Sequence, residues 1–236
     1  MSTTATGPTD PDTSAGPASD DVRVRRRAER GAYDRATIHA ILDEAITAHV
    51  GLVANGRPVV IPMIFGRDGD DVYLHGSVAS RLLRSAGSGI DVCLTATLID
   101  GLVMSRSAFH HSMTYRSVVV LGRAEVVEGD EALHGVRVIA EHLTPGRWDE
   151  VRAPSPSEMR QTMVLRLSLA EASAKIRDAG PGDEPEDLAS PVWAGVVPLE
   201  RAWGEPVPDA ALPAGTAPSA SVLALTGTPR ERTSST

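Results

Sequence analysis

VGLVANGRPVVIPMIFGRDGDDVYLHG, residues 50–76, decides the fold. Three apolar, β-branched runs are separated by Asn55-Gly56 and Asp68-Gly69, dipeptides suited to tight hairpin turns. The spacing predicts an antiparallel meander. Upstream, YDRATIHAILDEAITAH places Ile38, Ile41, Leu42 and Ala45 at helical spacing behind Asp34, whose carboxylate can accept from first-turn N–H groups. Downstream, SVASRLLRSA reads as a short helix capped by Ser77 or Ser80, IDVCLTATLI as a fourth strand, and Tyr115 to Val127 as a fifth. Gly129-Asp130 leads into a helix with Leu133, Val136, Ile139 and Leu143 on one face. TMVLRLSLAEASAKIR reads as a sixth strand turning outward, and WAGVVPLERAW as a last one. Six or seven antiparallel strands with helices at the joints predict a mainly β, α+β fold, a closed or split β-barrel.

The ends of the chain read differently. Residues 1–20 are Ser, Thr, Pro, Gly and Asp with almost nothing to bury, so they cannot offset the entropy of ordering. The basic run VRVRRRAER, residues 22–30, reads as a solvated linker, which makes 1–30 a disordered tail, 31–208 the domain and 209–236 a flexible C-terminal tail. A net charge of −8 argues against a dedicated nucleic-acid binder. No apolar segment approaches a membrane span, and the start lacks the pattern of a signal peptide, so a cytoplasmic protein is expected. The single cysteine, Cys93, lies in a strand that reads as buried and is expected to be a small core residue.

Two stretches could carry chemistry. DGLVMSRSAFHHSMTYRSVVVLGRAEVV, residues 100–127, crowds hydrogen-bonding groups at the mouth of a valine strand. Each buried without a partner costs roughly 1–3 kcal/mol, so the cluster needs water, a partner or a ligand. VYLHGSVASRLLR, residues 72–84, runs a strand ending in His75-Gly76-Ser77 into a helix start with Ser80, Arg81 and Arg84. Backbone N–H groups, hydroxyls and guanidiniums would converge there, as a phosphate site requires. An ordinary capped helix with exposed arginines is the plainer alternative. Neither a dinucleotide glycine fingerprint nor a Walker-type lysine is present.

In their order, PVVIPMIF, VYLHGS with its SRLL, DVCLTAT and YRSVVVLGRAEVV resemble the pyridoxamine 5′-phosphate oxidase-like, FMN-binding split-barrel family. The nitroimidazole-resistance and flavin-nucleotide-binding branch is the nearest in likeness, over roughly residues 30–208. The resemblance implies a homodimer with FMN in a cleft between subunits. It implies that Ser80 and Arg81 grip the flavin phosphate, with Leu82 standing where the oxidases carry a lysine. Val60, Ile61, Pro62 and Met63 match the strand beside the flavin ring, although Pro62 has no N–H to offer. His75, Gly76 and Ser77 fall where the family lines the ribityl chain and ring, and Arg116 and Ser117 match a polar flavin contact. Trp193 and Trp203 lie in a C-terminal strand whose counterpart reaches the partner's cofactor, with core packing as the alternative.

The catalytic candidates are His110, His111 and Tyr115. Adjacent residues on an extended chain point to opposite sides, so one histidine at most should face the cleft as a proton donor, unless both are solvated loop residues. His39 and Asp43 read as a solvated helix face in preference to a metal site. The resemblance implies a flavin oxidoreductase acting on a small molecule, with NADH or NADPH as a possible donor. The oxidase reaction on pyridoxamine phosphate itself is not expected, because its C-terminal arginine motif has no clear match. The alternative is a protein of the same fold that stores or senses flavin, or holds haem through His110 or His111, without turnover.

Overall fold

The structure, a computed structural model, describes residues 16–77 and 89–227. Among the described residues, nine strands and four α-helices follow in the order β1 (Gly31–Ala32), α1 (Arg35–Glu44), β2 (Thr47–Ala54), β3 (Arg57–Asp68), β4 (Asp71–Ser77), β5 (Gly89–Met104), β6 (Ser112–Val127), α2 (Gly129–Leu143), α3 (Pro156–Gln161), β7 (Thr162–Ser168), β8 (Glu171–Arg177), β9 (Gly195–Pro198) and α4 (Ala220–Gly227). All strand pairs are antiparallel, and β6–β7–β4–β3–β2–β5 closes on itself into a six-stranded ring. The split comes from β6. One of its edges pairs with β5 over Ser112–Glu125; the other pairs with β8 over Tyr115–Leu121 and then with β7 over Glu125–Val127.

Local chemistry explains the meander. Asn55 (φ 52) and Gly56 (φ 71) form the two-residue turn between β2 and β3, both in the left-handed region that this turn demands. The next turn is Gly69-Asp70, one residue later than the sequence suggests, with Gly69 at φ 55 and Asp68 paired with Asp71. Asp34 caps α1 by accepting from Thr37 N at 2.8 Å, and Ile38, Ile41, Leu42 and Ala45 are buried against Phe65, Leu94, Leu98 and Leu167 inside the ring.

On the outside, α2 packs on β3, β4 and β7 with Ala132, Gly135 and Ile139 deepest, whereas Leu133 is exposed. The predicted apolar face is therefore rotated toward small residues, because the helix comes very close. A Cβ on Gly66 would lie 2.6 Å from the Val138 carbonyl oxygen, and one on Gly135 would lie 2.7 Å from Tyr73 Cδ1.

Three other expectations change. The single outward-turning strand at 162–177 is the hairpin β7–β8, turning at Leu169-Ala170, where Ala170 N donates to Ser168 Oγ and Leu169 N to the Asp70 carbonyl. The last strand shrinks to the four residues of β9, on the end of β5. Stretches assigned to the tails make specific contacts. Val22 is buried, Ser19 Oγ donates to Glu171, and Lys175 Nζ donates to the Arg26 carbonyl. At the other end, Glu150 accepts from Ser219 Oγ, Ser221 N and Ser221 Oγ, which holds its carboxyl at about 2 and ties down the start of α4. Among the described residues, no helix is long and apolar enough to cross a membrane.

Candidate functional site

Strand registers assemble one face. Val60, Gly51, Cys93 and Leu121 lie in a row across β3, β2, β5 and β6, and Pro62, His49, Thr95 and Val119 form the row beside it. Directly paired residues point to the same side, so these rows share the outer surface of the ring. Neither row contains an Asp, Glu, Lys or Arg, and Val53, Val60, Ile64 and Ile99 on this side are exposed. Cys93 is thus half-buried on the outer surface, not a core residue. Alternation divides the predicted ring-binding quartet: Val60 and Pro62 point outward, whereas Met63 packs on the core and Ile61 shares its side.

Arg116 points elsewhere. Its Nε and Nη2 donate to Asp100 (3.0 and 2.8 Å), while Nη2 and Nη1 donate to Glu44 at the end of α1. Four hydrogen bonds commit this guanidinium to two carboxylates. They also raise its pKa, Asp100 first and Glu44 next. Ser117 lies outward beside Thr97, its hydroxyl donating to the Lys175 carbonyl at 3.3 Å. Tyr115 pairs with Ile99 on one side and Arg177 on the other.

Most of the polar crowd before β6 finds its partners within the chain, the buried Arg106 Nε excepted. Residues 108–110 form a single 3-10 turn capped by the Ser107 hydroxyl, so His110 lies in a turn and only His111, at φ −57 and ψ 140, has left it; the two are not successive residues of one extended chain, and the strict opposition of their side chains does not follow. His110 Nε2 lies 3.7 Å from Glu184, and His111 Nδ1 lies 3.0 Å from the Ser107 carbonyl. Ser105 donates to the His110 carbonyl, and Arg106 grips Asp183 through both backbone and side chain. Trp193 is 64% exposed and folds over Gly195, while Trp203 lines a cavity with Asp43, His142 and Ser221; neither belongs to the core. His39 contacts Asp70, and Asp43 pairs with Arg67.

His75 is different. Gly76 and Ser77 continue β4 against Met163 and Thr162, and His75 sits opposite Val164 with Nδ1 buried and without a hydrogen-bond partner. The ring lines a cavity of about 420 Å3 with Val136, Arg152, Pro154, Glu158, Met159 and Thr162. Burial pushes the imidazole below its ordinary pKa, which favours the neutral ring with a free lone pair. The resemblance places His75 on the flavin and gives no sign of this cavity, whose walls come from α2, the segment 152–154, α3 and the start of β7. Ser80 and Arg81, the predicted phosphate grip, lie outside the described residues, as do Leu82 and Arg84.

The depressed His75 pKa has a sign that can be tested. Below about 6.5 the unfolded chain takes up a proton that the folded ring resists, so this residue makes stability fall as pH drops through 6.5 toward the lower folded-state value. In cofactor-free chain, denaturant midpoints at pH 7 and pH 5 should differ more for the parent than for His75→Gln. Equal differences would show that the imidazole titrates freely.

The sequence model of the family described as pyridoxamine 5′-phosphate oxidase matches residues 34–176. The chain belongs to this family. Among solved structures, the flavocytochrome Anf3 from Azotobacter vinelandii is 40% identical, with a TM-score of 0.83 over 89% of this chain and 99% of that one. An FAD and haem binding protein from Mycobacterium smegmatis is 35% identical, with a TM-score of 0.80 over 84% and 97%. A candidate 5-nitroimidazole antibiotic resistance protein from Bacteroides thetaiotaomicron is 25% identical, with a TM-score of 0.53 over 62% and 86%. No curated protein matches the chain. This oxidase-family chain is thus similar over almost their whole length to two proteins that combine a flavin with haem chemistry, and over a shorter span to the resistance protein.

Proposed function

We propose that this chain is a redox protein that holds a flavin nucleotide on the outer face of β3, β2, β5 and β6, over the two rows that carry no Asp, Glu, Lys or Arg, against a second copy of itself, and a haem in the cavity lined by His75. The observation that carries the reading is the buried, unpartnered nitrogen of His75 beside that cavity. A buried polar atom without a partner is costly, and a neutral imidazole is a common haem ligand. The cavity volume lies within the roughly 300–1,000 Å3 range of cofactor pockets. Val136, Pro154 and Met159 offer apolar contact, while Arg152 and Glu158, paired at 2.6 Å, form a polar rim. The relatives from Azotobacter vinelandii and Mycobacterium smegmatis support the pairing of the two cofactors.

The outer face suits the flavin and the second copy together. Its exposed Val53, Val60, Ile64 and Ile99 lose water against a partner, while Thr95, Thr97 and Ser117 offer hydroxyls to a polar ring edge. The FMN portion, alone or within FAD, fits the expectation for residues 60–63, reduced to Val60 and Pro62 on the exposed side. When bound, a flavin converts between two-electron and one-electron transfer, with NADH or NADPH a suitable donor, and a haem carries single electrons. His75 would hold the iron, and the strand face would orient the flavin and exclude water.

The test is the absorbance spectrum of the purified full-length chain and of three single variants. The parent should carry flavin bands and a haem Soret band. His75→Ala should lose the Soret band and keep the flavin, whereas His110→Ala and His111→Ala should keep both. Haem retained in His75→Ala moves the ligand elsewhere, and a parent that takes up neither added flavin nor added haem overturns the reading.

A further inference from the structure

The basic run VRVRRRAER folds back onto the domain. Pairing of Gly31 with Lys175 and Ala32 with Ala174 sets the turn Ala28–Arg30 beside the end of β8. Arg27, at the start of that turn, stands in the left-handed region (φ 59, ψ 56), which costs an L-residue roughly 1–2 kcal/mol. Arg177, the last residue of β8, is 9% exposed. Its guanidinium donates only to backbone carbonyls, those of Met113 (3.1 Å), Ala179 (2.9 Å) and Gly180 (3.2 Å).

Among the described residues, none of Arg26, Arg27, Arg30 and Arg177 forms an ion pair with a carboxylate. Asp178 beside Arg177 and Glu29 in the turn are the acidic groups at hand, and neither closes one. Burial, then Arg30 and Arg27, push Arg177 below the ordinary arginine pKa, although Tyr115 and Asp178 act in the opposite sense. A buried cation lacking a counter-charge is expensive, and crowding two more beside it raises the cost. An anion would relieve it.

The position of the cluster indicates which anion. Arg177 pairs with Tyr115, and Tyr115 with Ile99, so the cluster borders the outer face on its β8 side, at the end away from the Asp91–Arg123 pair. We infer that Arg27, Arg30 and Arg177 form a phosphate site at the edge of that face, which takes the second phosphate of a flavin dinucleotide whose ring lies on the face. The inference rests on the flavin reading above. Arg27 and Arg30 supply uncommitted guanidinium forks that match phosphate geometry, and Arg177 supplies buried charge. Three arginines at the rim of an apolar surface suit a small nucleotide. The −8 net charge of the chain disfavours a nucleic-acid polymer.

The full-length chain is titrated with FMN, FAD and inorganic pyrophosphate, beside an Arg27→Ala/Arg30→Ala double variant and Arg23→Ala, whose guanidinium is already held by Asp20 at 2.9 Å. FAD should bind at least about tenfold more tightly than FMN to the parent and to Arg23→Ala. The double variant should lose that margin with its FMN affinity intact, and pyrophosphate should raise the melting temperature of the parent and not of the double variant. An FAD margin that is absent, or that survives in the double variant, overturns the inference. So does a DNA duplex that reproduces the arginine-dependent shift. If neither flavin binds, the flavin reading falls by itself and pyrophosphate decides the anion site: a shift lost in the double variant supports it, and a shift retained or absent overturns it.

Discussion

Arg116→Ala should destabilise the chain by about 3–5 kcal/mol at neutral pH, one of the two largest effects expected of a single substitution. Glu44, Asp100 and Arg116 are each 13–15% exposed, so removing the cation leaves two carboxylates facing one another with little water. Arg201, 3.4 Å from Glu44 and half exposed, compensates only in part and sets the result toward the lower end. Arg116→Lys keeps the charge but not the forked geometry and should fall between the two. Chemical denaturation of both variants at pH 7 checks this, and equal losses in Arg116→Ala and Arg116→Lys would mean that the charge contributes nothing. A folded Arg116→Lys protein without flavin would restore the cofactor role implied by the resemblance.

Gly66→Ala should cost about 3 kcal/mol, at the upper end of what overpacking does. The obstacle is backbone: the new Cβ would meet the Val138 carbonyl oxygen at 2.6 Å, its carbon at 2.7 Å and Ile139 Cα at 2.8 Å. No rotamer change relieves such a contact, so α2 must lift off β3 and uncover Tyr73, Ile139 and Val164. Gly56→Ala is the control, with open space around it and only its positive φ to resist, and should cost about 1 kcal/mol. Melting temperatures of the two variants separate the mechanisms; equal losses would show that α2 yields easily.

What could be read in the sequence was chemistry that acts between near neighbours. Asp34 caps its own helix, Asn55-Gly56 makes its own turn, and the period of Ile38, Ile41 and Leu42 is set by one helix, so these expectations hold in the structure. The break between β7 and β8 was hidden because the turn from Ser168 to Glu171 contains neither glycine nor proline. The partners of Arg116 lie 16 and 72 residues away, and nothing local marks them. Hydroxyls around His110 and His111 suggested a ligand, yet Ser105 and Ser107 satisfy that loop from within. The isolation of His75 Nδ1 depends on walls contributed by Val136 and Met159, beyond the reach of any motif.

The seam between β4 and β7 joins residues far apart in the chain. Ser77 meets Thr162 and Asp71 meets Ser168, separations of 85 and 97 positions, whereas β2 and β3 meet across two residues. Each such contact must overcome the entropy of a long loop before it returns any energy, which places folding of this ring on the slow side for its size. During synthesis the meander β2–β4 emerges before β7, so the native partner of the β4 edge is absent until the chain has been made past Ser168. Until β7 pairs with β4 the chain is an open sheet, a state that a chaperone or an unwanted neighbouring strand can recognise.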